Sequence, residues 1–225
     1  LPEAMPSTAI LGHVSSRAAE QTGLRSGTPV MVGGSDTPLA ALAEGVTVEG
    51  RALITAGSVS SIVVCTAKPD FSSTLLNRCH VVPNRWLMQG AMNAHGNLLK
   101  WVADEFYQAG GPRNNVYERI SRDVKATPAG SRGLIFLPYL SGERSPIWDP
   151  YARGVLFGFS FHHGRRDIAR AAYEGVTYAA RHNLETIERL GVNVNELMVV
   201  GGGATDDVWN QIKADILHRR IIVSK

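Results

Sequence analysis

Three apolar, strand-like runs in this chain end on turns built of small residues, and that recurrence constrains the fold more than any other feature. Val30-Met31-Val32 leads into Gly33-Gly34-Ser35-Asp36. A β-rich stretch is interrupted by Thr55-Ala56-Gly57-Ser58, and Leu197-Met198-Val199-Val200 leads into Gly201-Gly202-Gly203-Ala204. A strand that ends on glycine can turn tightly, and a helix that follows aims its first N–H groups back at the turn. One such turn carries little weight. Three together, the first bearing a carboxylate, point to a site for phosphates and for a group that receives one.

The pattern along the chain is that of an α/β or α+β domain. Extended segments are expected at 9–12, 28–33, 51–55, 59–65, 78–82, 86–89, 134–137 and 197–200, with a last one near 221–223. Helices are expected at 15–21, closed by Gly23, at 37–44, stopped by Gly45, at 97–108, ended by Gly110-Gly111-Pro112, at 166–190 and at 206–217. The stretch 138–154 is a long loop rich in proline, glycine and charge, a length that is usually functional or forms a packed cover. The chain opens on Leu1 and stops at Ile221-Ile222-Val223-Ser224-Lys225, inside a strand-like run. A central strand with an unpaired edge is unfavourable, so the chain reads as a piece of a longer protein.

Composition excludes several classes. Apolar residues make up 44% and charged residues 19%, a globular balance. A net charge of +3 without a basic stripe gives no case for nucleic acid. No apolar run reaches the roughly 18 residues that span a bilayer. No signal peptide opens the chain, and Cys65 and Cys79 suggest neither a metal site nor a disulfide framework, so a cytoplasmic protein is expected.

Each candidate residue has a plain alternative. Asp36 can serve as a base beside an attacking hydroxyl, but just before a helix it is more often an N-cap. Gly57 and Ser58 can face a phosphate, or form an ordinary hairpin turn. Gly202, Gly203 and Ala204 let a ring or ribose approach the backbone, or make a strand-to-helix turn needing positive φ. The segment is neither a Walker A loop nor a dinucleotide fingerprint. His162 and His163 have no carboxylate or cysteine at ligand spacing, so no metal-binding residue is assigned. His95 is read as a cap or packing residue, and Trp101 and Trp148 as core.

In order and over nearly the whole length, these segments resemble the C-terminal lobe of the FGGY carbohydrate kinases, the family of glycerol kinase and xylulokinase. The resemblance runs from Thr22-Gly23-Leu24 and Gly27-Thr28-Pro29-Val30 to Gly34-Ser35-Asp36, which matches the family's Gly-x-Asp turn. It continues through Leu137 to Arg144, Trp148 to Gly154, and Gly154-x-Leu156-x-Gly158-Phe159. Asp167-Ile168 and Ala171 to Gly175 then lead to Gly202-Gly203-Ala204, Trp209, Gln211 and Asp215-Ile216.

The resemblance implies a ribonuclease H-like, actin-type fold: a mixed sheet flanked by helices. The chain, 1–225, would be the nucleotide-binding lobe, without the N-terminal sugar lobe and the final helices. It implies Asp36 as catalytic base and Thr37 as an acceptor contact. Gly57 and Ser58 would lie against the β- and γ-phosphates, Gly96 and Lys100 near the nucleotide. Gly202, Gly203, Ala204 and Asp207 would stand at the adenosine. Three positions depart from the pattern: Ser58 stands for a threonine, Lys100 for an uncharged residue, and Asp207 for an asparagine.

The implied reaction is ATP-dependent phosphorylation of a ketose or polyol, with Mg²⁺ bridging the phosphates. Xylulose is suggested by Ser141-Gly142-Glu143-Arg144; gluconate and ribulose stay open. Sugar and ATP would be the partners, and a homodimer the candidate assembly. A non-catalytic nucleotide-binding relative would bind ATP yet show no change in turnover on Asp36→Asn. An actin-like assembly protein would sediment with nucleotide.

Overall fold

The structure is a computed structural model that describes residues 3–108 and 115–224. Its centre is a mixed six-stranded sheet in the order β10-β9-β3-β4-β6-β5. The strands are β3 (Arg51–Ala56), β4 (Ser60–Thr66), β5 (Leu76–Cys79), β6 (Trp86–Met92), β9 (Glu196–Val200) and β10 (Arg220–Val223). β3, β4, β6 and β5 pair antiparallel, whereas β9 runs parallel to both β3 and β10. Every residue of β4 is buried, so its run Ser60-Ser61-Ile62-Val63-Val64-Cys65 is nearly continuous in apolar or small residues rather than alternating.

One face of this sheet packs on α5 (Arg165–Arg189), whose buried positions include Ala179, Ala180, Leu184 and Ile187. These meet Ala52, Ile54, Ile62, Val64 and Met88 from the strands. The other face packs Leu53, Val63 and Leu87 against Ala41 of α2 (Asp36–Ala43). A second helical layer joins α3 (Gly96–Phe106), α4 (Val116–Ala126) and α6 (Asp207–Leu217) to α5 through Leu98, Val102, Ile120, Val124, Trp209 and Ile212. β1 (Ile10–His13), followed by α1 (Ser16–Thr22), pairs antiparallel with β2 (Pro29–Met31) in a separate ribbon. A short β7 (Ile135–Leu137) pairs with β8 (Val155–Phe157).

The expected α/β class and most expected elements are present. α1 closes on Gly23 at φ 73°, the left-handed geometry that glycine supplies at a helix end. Two elements go beyond the reading, α4 and β8. Trp148 differs from its expected core position: it is 43% exposed, and its indole N–H donates to the Thr74 carbonyl at 2.8 Å. Trp101 is partly buried against the helical core. The Gly110-Gly111-Pro112 stop lies outside the described residues, as do Leu1, Pro2 and Lys225.

Candidate active site

The site begins with the turn after β3. Gly57 and Ser58 are exposed at the tip of the β3–β4 hairpin, so the turn expected between these strands is a hairpin turn. The Gly57 carbonyl accepts the Gly96 N–H at 3.0 Å, and the Ser58 carbonyl accepts the Asn97 N–H at 2.9 Å. A Cβ on Gly96 would stand 2.7 Å from the Gly57 oxygen. Only glycine lets the first turn of α3 approach this closely.

The turn after β9 closes onto the same point. Gly201 has φ 96°, and a Cβ there would meet the Ala56 oxygen at 2.7 Å. A Cβ on Gly203 would meet the His95 ring at 2.5 Å. Gly202 is exposed with open space around it, and Gly202–Ala204 form a single 3-10 turn. Gly57, Ser58, Gly96, Gly202, Gly203 and Ala204 are therefore brought together, although the segments lie far apart in the chain.

Behind them is a buried brace that the sequence reading missed in part. His95 stacks on Trp209 with ring centroids 4.2 Å apart, and its Nδ1 lies 3.2 Å from the Gly57 oxygen. His95 is thus a packing residue; it makes no side-chain cap bond. Burial, aided by the nearby Lys213, holds its pKa down to about 3. Lys213 is itself buried, donates to the Gly203 carbonyl at 2.9 Å, and has its Nζ 4.7 Å from the Trp209 ring. Burial lowers its pKa to about 8. Asn210 donates to the Ala204 carbonyl at 2.7 Å. The carbonyls of this turn are held from below, leaving its upper face bare.

Lys100 and Asp207 stand at the margin. Lys100 lies one helical turn beyond Gly96 on α3 and pairs with Asp104 on the exposed surface. Asp207 is exposed at the first position of α6. The capping work falls to Asp206, which accepts from the Val208 N–H (2.9 Å), Trp209 N–H (3.3 Å), Ser121 Oγ (2.9 Å) and Tyr173 hydroxyl (2.9 Å). Burial first, then the Asp206 charge, pushes the Tyr173 phenol far up.

Asp36 occupies a different environment. The N-cap position of α2 is Ser35, and Asp36 is the first helical residue. Its Oδ1 accepts only from Thr37, through the backbone N–H at 2.7 Å and the hydroxyl at 3.4 Å. The carboxylate is exposed and opens on a cavity of about 330 Å³ that Thr37, Ser61, Arg78, Gln89 and Arg144 also line. Gly34 sets this position: its Cα faces Val81 so closely that a Cβ would stand 2.4 Å from Val81 Cγ1. Arg144 arrives from the long loop. Glu143 Oε1 accepts the Asn93 and Arg144 N–H groups, both at 2.7 Å, and the Ser145 N–H donates to the Ala91 carbonyl at 2.9 Å. That buried glutamate has its pKa raised, chiefly by desolvation. The loop is a packed cover that delivers one cation to the cleft.

The chain matches the FGGY family of carbohydrate kinases, C-terminal domain, over residues 52–225. It belongs to that family. Xylulose kinase of Staphylococcus epidermidis is 32% identical over 222 residues, covering 98% of this chain and 44% of that protein. Gluconokinase of Bacillus subtilis is 32% identical over 234 residues, covering 99% and 45%. The crystal structure of xylulose kinase from Rhodospirillum rubrum superposes with a TM-score of 0.90 at 33% identity, covering 99% of this chain and 44% of that one. The chain thus spans less than half the length of these relatives. The fold expected from the sequence, the actin-type mixed sheet flanked by helices, is the fold of this family domain.

Among the described residues no helix is long and apolar enough to cross a membrane, and no three acidic, histidine or cysteine side chains gather to hold a metal. A magnesium ion suits such a site when it travels on the phosphates of ATP, because Mg²⁺ keeps much of its water and needs at most one or two carboxylates. Asp36 is the one acidic residue lining the cleft that could supply one.

Proposed function

We propose that this chain is the nucleotide-binding, base-carrying half of an ATP-dependent kinase that phosphorylates a hydroxyl of a sugar or sugar derivative. One observation carries the reading. An exposed carboxylate, Asp36, held only by its neighbour Thr37, opens on a cleft floored by β3 and β4, the strands whose joining turn is Gly57-Ser58. Relatives named xylulose kinase and gluconokinase support the class while spanning a neutral ketose and a sugar acid.

In this reading Gly202, Gly203 and Ala204 face the adenosine with their bare side, with Asp207 at its edge. Gly57 and Ser58 lie against the phosphates, and Gly96 with Lys100 flanks them. Thr37 contacts the acceptor. Asp36 takes the proton as the acceptor oxygen bonds to the γ-phosphorus; the bond from that phosphorus to the β–γ bridging oxygen breaks, and ADP leaves. Magnesium, carried with ATP, offsets charge on the phosphates. The N-terminal half of the protein would complete the acceptor site and close over it, excluding water. The cytoplasm, where ATP is held, is its proposed compartment.

The test is ADP release by the complete protein with Mg-ATP and a panel of pentuloses, hexuloses, polyols and sugar acids. Release that depends on one acceptor is expected, and Asp36→Asn should lower kcat by about 10²- to 10⁴-fold with ATP affinity kept. Unchanged turnover in that variant would remove Asp36 from the chemistry.

A further inference from the structure

The face of the sheet that packs on α2 changes character along its strands. Low on that face, Leu53, Val63 and Leu87 form a dry cluster with Ala41. Toward the α2 N-terminus, beside Asp36, the same face turns polar: Thr55 bonds Ser61 at 2.9 Å, and Gln89, in register with Val63 at the border of the dry cluster, also lines the cavity. Arg78, on the edge strand β5, reaches over and donates its Nε–H to Gln89 Oε1. Gln89 is 6% exposed and sits in the otherwise apolar run Leu87-Met88-Gln89-Gly90-Ala91. A buried amide whose oxygen is fixed by a guanidinium keeps its own N–H groups for something else.

The charges do not balance. Asp36 is the single acid in the lining, against Arg78 and Arg144. Arg144 has company: its guanidinium donates to the Met92 carbonyl at 3.1 Å, and the adjacent Glu143 lies within its field. Arg78 has none; among the described residues Gln89 is its one hydrogen-bond partner and no carboxylate pairs with it. A guanidinium set in a cleft with its forked donors unused is suited to a planar oxyanion. Position separates the two anions that could come here. β5 lies two strands across from β4, roughly 10 Å, and Arg78 stands level with Leu87 and Cys65, at the end of β4 away from the Gly57-Ser58 turn, so it is set apart from where the phosphates are proposed to lie.

We propose that the acceptor is a polyhydroxy carboxylate, an aldonate, and that Arg78, oriented by Gln89, binds its carboxylate while Asp36 faces a distal hydroxyl. The inference rests on the kinase reading above and replaces the expected ketose or polyol with a sugar acid. Neutral acceptors would leave Arg78 desolvated without a counter-charge, which disfavours them.

The experiment measures ADP release by the complete protein with Mg-ATP, using aldonates beside the alditols and ketoses of equal carbon number, for the wild type, Arg78→Met and Arg78→Lys. The wild type should favour one aldonate over its neutral counterparts by ~100-fold or more in kcat/KM. Arg78→Met should raise the KM for that aldonate by ~100-fold, leave KM for ATP unchanged and narrow the preference over neutral acceptors; Arg78→Lys should restore part of it. A wild type that prefers a neutral ketose or polyol overturns the proposal and leaves the kinase reading standing. So does an Arg78→Met variant whose defect falls on ATP or equally on every acceptor. ATP binding with no acceptor-dependent release from any compound takes down both.

Discussion

Two aspartates in this molecule follow the same local script and end in opposite circumstances. Asp36 follows β2 and Gly33-Gly34; Asp206 follows β9 and Gly201-Gly202-Gly203; each stands at the mouth of a helix. Asp206 is bound by two backbone N–H groups and two hydroxyls and caps α6. Asp36 is met only by its neighbour Thr37 and faces an open cleft. The difference lies in what surrounds the helix. α6 is sandwiched by α4 and α5, which supply Ser121 and Tyr173, while α2 packs its middle on the apolar part of one sheet face and leaves its N-terminus over the polar part. The carboxylate used for cohesion has its lone pairs filled from four donors; the one facing the cleft keeps most of them open.

This contrast can be broken by substitution. Asp206→Ala should cost about 3–5 kcal/mol, since it removes a cap and leaves a buried phenol unpaired; Asp36→Ala should stay within about 0.5 kcal/mol. Denaturant unfolding of the complete protein, read on the transition that contains this lobe, gives both numbers. Equal losses would erase the distinction.

Acid should find the brace rather than the cleft. The native pKa of His95, about 3, is below the usual 6.5, so the unfolded chain takes up a proton that the folded chain refuses. The stability tied to its neutral ring is complete above pH 6.5 and is lost as the pH falls toward 3. A loss of about 3 kcal/mol by pH ~4 is expected from this group, and His95→Phe should remove it. Thermal midpoints against pH, wild type beside variant, measure the difference; identical slopes would contradict the burial argument.

Smaller effects should follow the close approaches. Gly96→Ala places a methyl 2.7 Å from the Gly57 oxygen, which should cost about 1–3 kcal/mol and raise KM for ATP with little change in KM for the acceptor. Lys213→Met should act more gently still. The native ammonium has its pKa lowered to about 8 from 10.5, so wild-type stability rises as pH climbs through that window. The variant should lose this rise, which melting curves between pH 8 and 10.5 would register.

Much of this was readable beforehand because it depends on short-range rules. Continuous apolar runs gave β3, β4 and β6, and spaced alanines and isoleucines gave α5. Glycine turns announce themselves because close backbone approach forbids a side chain. α4 gives a weak signal: Val116, Ile120 and Val124 make a thin stripe among charged neighbours. The pieces of the site that stayed hidden all depend on distant pairing. Arg78 acquires a role only through Gln89 on the neighbouring strand, and His95 only through Trp209, on a helix in the last part of the chain. Asp206 has no mark in the sequence that sets it apart as the cap, because its partners Ser121 and Tyr173 come from other helices. Trp148, expected inside, lies on a loop whose indole is held by one carbonyl.

In the proposed reaction Asp36 couples ATP cleavage to an acceptor. The direct measurement is stoichiometry: ADP formed and phosphorylated acceptor formed, counted together in the complete protein with Mg-ATP, for the wild type and Asp36→Asn. One phosphorylated acceptor for each ADP is expected in the wild type, and a fall of at least ~100-fold in both for the variant while ATP still binds. ADP formed without phosphorylated acceptor, or the same coupled rate in both proteins, would contradict it.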